Sequence, residues 1–156
     1  MPLPSYLISA SLLVCEKVLH EKDGVTSAIR IVDIFPVPPQ LPLPPGMVLP
    51  PEILNIPMVQ AYALLQVRAE AGHQEEHTLE FKIIKTGGEI ATVAEAKARF
   101  QSQIEGAPGG LTVNAQLNIA VKRFGTCILC VHMDGEEIAR TPFTLIQQKP
   151  DVGQVI

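Results

Sequence analysis

Leu111-Thr112-Val113-Asn114-Ala115-Gln116-Leu117-Asn118-Ile119-Ala120-Val121 carries an apolar residue at every odd position and, Ala120 apart, a polar one at every even position. Successive side chains of a strand point to opposite faces, whereas a helix brings residues three and four apart onto one side. The period of two therefore predicts a strand over 111–121 that buries its odd face and shows water its even one. Thr78-Leu79-Glu80-Phe81-Lys82-Ile83 repeats the pattern with Leu79, Phe81 and Ile83 inward.

Turn chemistry extends the reading in both directions. Cys127 to Met133 and Ile138 to Ile146 are joined by Asp134-Gly135-Glu136-Glu137, and an Asp-Gly pair supplies the positive φ angles that tight hairpins demand. Leu7 to Leu19 and Val25 to Phe35 flank His20-Glu21-Lys22-Asp23-Gly24, which predicts a first hairpin of the same kind. Tyr62 to Ala69 reads as a further strand closed by Gly72, and Gly87-Gly88 marks a turn after Ile84. Ala91 to Ile104 mixes helix formers (Val93-Ala94-Glu95-Ala96-Lys97-Ala98-Arg99) with the alternation of Ala96, Ala98 and Phe100; a strand late in the segment is expected, a short helix being the alternative. Gly106-Ala107-Pro108-Gly109-Gly110 then breaks regular structure.

Nine prolines fall between Pro36 and Pro57, with Glu52 the single charge. Proline removes a backbone donor and fixes φ, so 36–57 is neither an inner strand nor an ordinary helix. Leu41, Leu43, Met47, Val48, Leu49, Ile53, Leu54 and Ile56 make it too apolar for a mobile linker, and it is expected to lie as a strap over the domain body. About eight short strands, one long crossover and few helix signals predict an all-β fold, a two-sheet antiparallel β-sandwich, over a single domain 1–156 with 148–156 as a tail. A small closed barrel is the next choice.

Composition narrows the function. A chain of 156 residues that is 47% hydrophobic and 18% charged buries enough apolar surface to fold. Net charge is −4 and the basic residues are scattered in sequence, without the Lys/Arg stripe that neutralises phosphates or an anionic bilayer, so neither nucleic acid nor membrane is an expected partner. The start, Met1-Pro2-Leu3-Pro4-Ser5-Tyr6, lacks the positive region of an export signal, and Cys15, Cys127 and Cys130 form an odd count without framework spacing; both predict a cytoplasmic protein.

The motifs that invite chemistry have plainer explanations. Cys127-Ile128-Leu129-Cys130 matches a C-x-x-C, but on a strand the two thiols face opposite sides and no second ligand pair accompanies them, so two buried or half-buried small residues are expected. His73-Gln74-Glu75-Glu76-His77 sets two imidazoles four apart; Gln74 stands where a metalloprotease has its general base, and the segment lies between strands, so a solvated charged turn is favoured over metal binding. His20 sits in a charged turn and His132 beside Asp134-Gly135, neither with a nucleophile and carboxylate near in sequence. Gly87-Gly88 and Gly109-Gly110 lack the strand-to-helix setting of a phosphate loop. Pro39-Gln40-Leu41-Pro42 and Pro42-Leu43-Pro44-Pro45 are formally P-x-x-P ligands without an adjacent Arg or Lys. No catalytic, cofactor-binding or metal-binding residue is assigned on these grounds, and no cofactor is expected.

Ser11 to Val18, Ile31-Val32-Asp33-Ile34-Phe35, and Phe124-Gly125-Thr126 through Val131 to Glu137 and on to Thr141-Pro142-Phe143 together resemble an uncharacterised family of bacterial β-sandwich proteins, a domain of unknown function, over about Tyr6 to Gln147. The resemblance implies an immunoglobulin-like fold and a bacterial source and carries no catalytic residues. Cys127, where such proteins more often have an aromatic, and the helix propensity near Ala94 depart from it. The function expected is a non-enzymatic protein-binding or assembly module that pairs with itself or another protein through sheet edges or the 36–57 loop. The alternatives are a hydrolase or ligand carrier built from distant residues, such as His132 with Glu136 or Asp33, and weak metal binding through His73 and His77 or the cysteines.

Overall fold

The computed structural model describes residues 3–22, 25–37, 46, 58–102 and 104–148. Among these residues nine strands follow in order: β1 (Leu7–His20), β2 (Thr26–Ile31), β3 (Ile34–Val37), β4 (Met58–Ala69), β5 (Glu76–Ile84), β6 (Ile90–Arg99), β7 (Gly109–Ala120), β8 (Gly125–Met133) and β9 (Glu136–Gln147). They form a four-stranded sheet, β2-β1-β4-β7, and a five-stranded sheet, β3-β9-β8-β5-β6, packed as a two-sheet sandwich. No helix among the described residues is long and apolar enough to cross a membrane.

The alternation at 111–121 has the expected outcome. Ala115, Leu117, Ile119 and Val121 are buried, while Thr112, Asn114, Gln116 and Asn118 are exposed. They meet Phe81, Leu129, Val131 and Phe143 from the facing sheet in one core, where Phe35 and Phe143 pack edge to face at 5.9 Å. Each such fully buried side chain contributes on the order of 1.5–3 kcal/mol. The β8–β9 hairpin turns on Asp134 (φ 50°) and Gly135 (φ 85°), the pair of positive angles that matches the twist of the strands it joins.

Three features differ from expectation. Val25 to Phe35 is two strands, not one: Arg30 takes a positive φ of 54°, and Val32 donates to Val14 in one sheet while Asp33 accepts from Thr144 in the other. The chain changes sheets there, which raises the strand count among the described residues to nine and makes β3 parallel to β9, the one parallel pair among them. Strand β6 begins at Ile90, early in its segment, because pairing with β5 from Ile84↔Ile90 to Glu76↔Arg99 overrides helix propensity. The proline stretch starts inside β3, where Pro36 sits on an edge strand that needs no second ladder. The rest of 36–57 apart from Gly46, the Asp23-Gly24 turn and the tail after Gln148 lie outside the described residues.

Candidate metal centre

One end of the sandwich brings two of the chain's four histidines, His73 and His77, together. Strand β4 ends at Ala69, and the turn that follows is tied down by Glu70 N–H donating to the Tyr6 carbonyl (2.9 Å) and His73 N–H donating to the Glu70 carbonyl (3.2 Å). Gly72, with φ 85°, lets the chain reverse. His77 is the second residue of β5 and faces inward in step with Leu79 and Phe81, the same alternation that set the strand. It is 3% exposed, the one buried polar residue among those described, so the solvated turn expected at 73–77 is half wrong: the turn is wet at Glu75 and Glu76 and dry at His77.

A buried imidazole needs partners for both ring nitrogens. Nδ1 of His77 lies 2.6 Å from Asp134 Oδ2, and Nε2 lies 2.7 Å from His73 Nε2. Asp134 is fixed in turn, its Oδ1 accepting the Thr78 amide at 2.9 Å and its own amide donating to the Thr78 carbonyl at 2.9 Å. The Thr78 amide first and the His77 ring second hold the Asp134 carboxyl below its ordinary value, so it is a carboxylate. A carboxylate only accepts, so the proton of His77 sits on Nδ1 and its Nε2 turns a lone pair toward His73. The Tyr6 ring stacks on His73 at 4.2 Å, Phe100 meets both imidazoles edge-on at 5.7 Å, and the Tyr6 hydroxyl donates to Met133 Sδ at 3.6 Å. Burial, then the charges of Asp134, Glu136 and Glu75, push the Tyr6 phenol up. The same three carboxylates give this end a negative potential that favours a cation.

His73, Glu75 and His77 bring their ligand atoms within 4.8 Å of one another. Two imidazoles and one carboxylate are the donor set of open zinc sites, and the Asp134–His77 bond is the carboxylate contact that orients a ligating ring. The sequence separates Asp134 from His77 by 57 positions, which is why spacing alone missed it.

The other singled-out residues stay apart. Cys127 and Cys130 are both buried, Cys127 in the core and Cys130 on the other side of β8 with its Sγ toward the Lys82 carbonyl at 3.6 Å. His20 is exposed and contacts Asn114 at 3.2 Å and Thr26 at 3.5 Å. His132 bonds neither Glu136 nor Asp33 among the described residues, and its buried Nδ1 has no partner; it lines a hollow on the outer face with Cys130, Glu137 and Arg140. Glu137 there is committed to Arg140 through bonds of 2.8–3.2 Å.

No family model and no curated protein matches the chain. Among solved structures it is similar to the Pseudomonas fluorescens alkylpurine DNA glycosylase AlkC bound to DNA containing an abasic site analog, with a TM-score of 0.37 and 14% identity over 56% of this chain. The chain spans 26% of that protein's length.

Proposed function

We propose that the protein is a small non-enzymatic binding module whose ligand is a divalent transition-metal ion of the zinc class, held by His73, Glu75 and His77. The observation that carries the reading is the convergence of two Nε2 atoms at 2.7 Å with Asp134 fixing the tautomer of the buried ring. Without metal the two nitrogens share one proton. A tetrahedral ion about 2.0–2.1 Å from each holds them roughly 3.3 Å apart, so uptake needs a parting of about 0.6 Å, which the turn-borne His73 supplies. Metal displaces that shared proton, and affinity falls in acid. Three protein ligands leave a coordination position for water or for a side chain of a docking partner, which joins the metal reading to an assembly role.

Titration of tag-free protein with Co(II) tests this, with expected visible bands of a four-coordinate ion at one equivalent and their loss in His73→Gln. Spectra that stay those of hexaaquo cobalt overturn the reading. A reducing, cytoplasmic setting agrees with three free and buried cysteines, and a bacterial, immunoglobulin-like family with the resemblance in the strand segments.

Self-association is a second reading, and β7 favours it. This strand is 12 residues long and, among the described residues, pairs along its length with β4 and otherwise bridges only at Gln101↔Gly110, leaving its other edge open. Light scattering after size exclusion distinguishes a dimer from a monomer. The contribution of the 36–57 loop to docking lies outside the described residues.

A further inference from the structure

We infer that the opposite end of the sandwich is a binding site for a phosphate group, inorganic or carried as a monoester. Strand β5 (Glu76–Ile84) carries His77 near its start and β8 runs from Gly125 to Met133, so the turns at 85–89 and 122–124 lie a strand's length, roughly 25 Å, from the imidazoles. Between these turns is a cavity of about 240 Å³ lined by Lys85, Lys122 and Arg123, with Glu89 as the one carboxylate. Lys122 and Arg123 are neighbours in sequence, and the topology brings Lys85, from the β5–β6 turn, to them.

The walls are built, not incidental. Gly87 takes a φ of 104° that favours glycine, and the Arg123 guanidinium lies against its turn, with Nη1 2.9 Å from where a Cβ would stand. Reciprocally, a Cβ on Gly125 (φ 133°) would meet the Thr86 side chain at 3.1 Å, and Thr86 is held by its hydroxyl donating to the Thr126 carbonyl at 3.1 Å. The two turns lie against each other at Gly87–Arg123 and Thr86–Gly125, and the three cations line the space between them. Arg30, Lys82, Arg99 and Arg140 each have a carboxylate within ion-pair distance, whereas Lys85, Lys122 and Arg123 have none among the described residues. Three positive groups against Glu89 leave a local excess of two charges in a chain of net −4. A phosphate dianion carries about −1.5 to −2 at neutral pH and accepts from guanidinium and ammonium groups together. Ile119 and Leu145 add apolar lining from the two sheets, suited to the organic portion of a monoester.

Titration of the full chain at low ionic strength with inorganic phosphate and, separately, phenyl phosphate tests the site, read by calorimetry and amide chemical shifts. The expected result is saturable one-to-one binding with shifts confined to 85–89 and 122–127, about a tenfold loss in Lys122→Gln/Arg123→Gln, and no loss in Lys97→Gln, whose lysine lies on β6. Glu89→Gln strengthens binding by removing the opposing charge. Tighter phenyl phosphate identifies a monoester as the source, and equal affinity identifies the free anion. No saturation at millimolar phosphate, or equal binding by the double variant and the unaltered chain, overturns the proposal. His77 variants leave phosphate binding intact, so this site stands or falls apart from the metal centre.

Discussion

Asp134 and His77 lie 2.6 Å apart across the β5–β8 ladder, and the same carboxylate that accepts from His77 Nδ1 also accepts from the Thr78 backbone amide. One residue therefore closes a hairpin with a positive φ, caps the adjacent strand and sets the tautomer of a buried ring. Removing its charge while keeping its shape isolates the last of these roles.

Asp134→Asn is the informative substitution, because asparagine tolerates φ 50° and retains an oxygen for the Thr78 amide. We expect Co(II) affinity to fall by about 10- to 100-fold, the usual effect of losing a group that orients a ligating histidine, with stoichiometry unchanged. Calorimetric or optical titration of the folded variant checks it. Affinity equal to that of the unaltered chain would show that Asp134 serves the turn alone.

Acid should unfasten the same contact. The folded Asp134 carboxyl titrates below its ordinary value, with the Thr78 amide the first cause, so its contribution to stability is fully present above the carboxylate range of an unfolded chain, about pH 4, and is lost as pH falls through the folded value. The side chain is 48% exposed, so the effect is screened and modest. Melting curves from pH 7 to pH 2 should show the gap between the unaltered chain and Asp134→Asn narrowing below about pH 4. A gap independent of pH would assign the loss to something other than the charge.

The thiols should be silent until the fold opens. Cys15, Cys127 and Cys130 are 0–2% exposed, and burial pushes the Cys15 and Cys130 thiols up, away from the reactive thiolate. Reaction with a disulfide reagent should follow the unfolding rate for all three residues and become immediate in denaturant. Rapid labelling of Cys130 in the native state would mean that the outer face of β8 opens readily.

What the sequence disclosed divides along the range of the interactions. Period two at 111–121 and the Asp134-Gly135 turn are local, and strand and hairpin follow from them. The break at Val32–Asp33 is not local: the Val14 carbonyl of one sheet accepts from the Val32 amide while the Thr144 amide of the other donates to the Asp33 carbonyl. The candidate site has the same character. His73 and His77 were visible as a pair, but Asp134 reaches His77 only through the pairing of β5 with β8, and Lys85 joins Arg123 only because the β5–β6 and β7–β8 turns meet at one end. A charged sequence such as His73 to His77 also reads as wet until the strand it enters is known to carry His77 inward.

The architecture has its own test in two neighbouring residues of β7. Leu117 is fully buried, with Ala61, also fully buried, as its register partner, whereas Asn118 points to water. Ala61 has no side-chain length with which to fill a gap, and Phe81 and Leu129 of the facing sheet are fully buried in the same close-packed core, so Leu117→Ala leaves a cavity that collapses poorly. A cost of about 2–5 kcal/mol is expected, against less than about 0.5 kcal/mol for Asn118→Ala. Urea denaturation checks both, provided the slope of free energy against denaturant is unchanged, since a changed slope reports a different unfolded state and not a weaker core. Equal costs at the two positions would mean that β7 does not present one face to a core, and the packing of the two sheets against each other would lose its support.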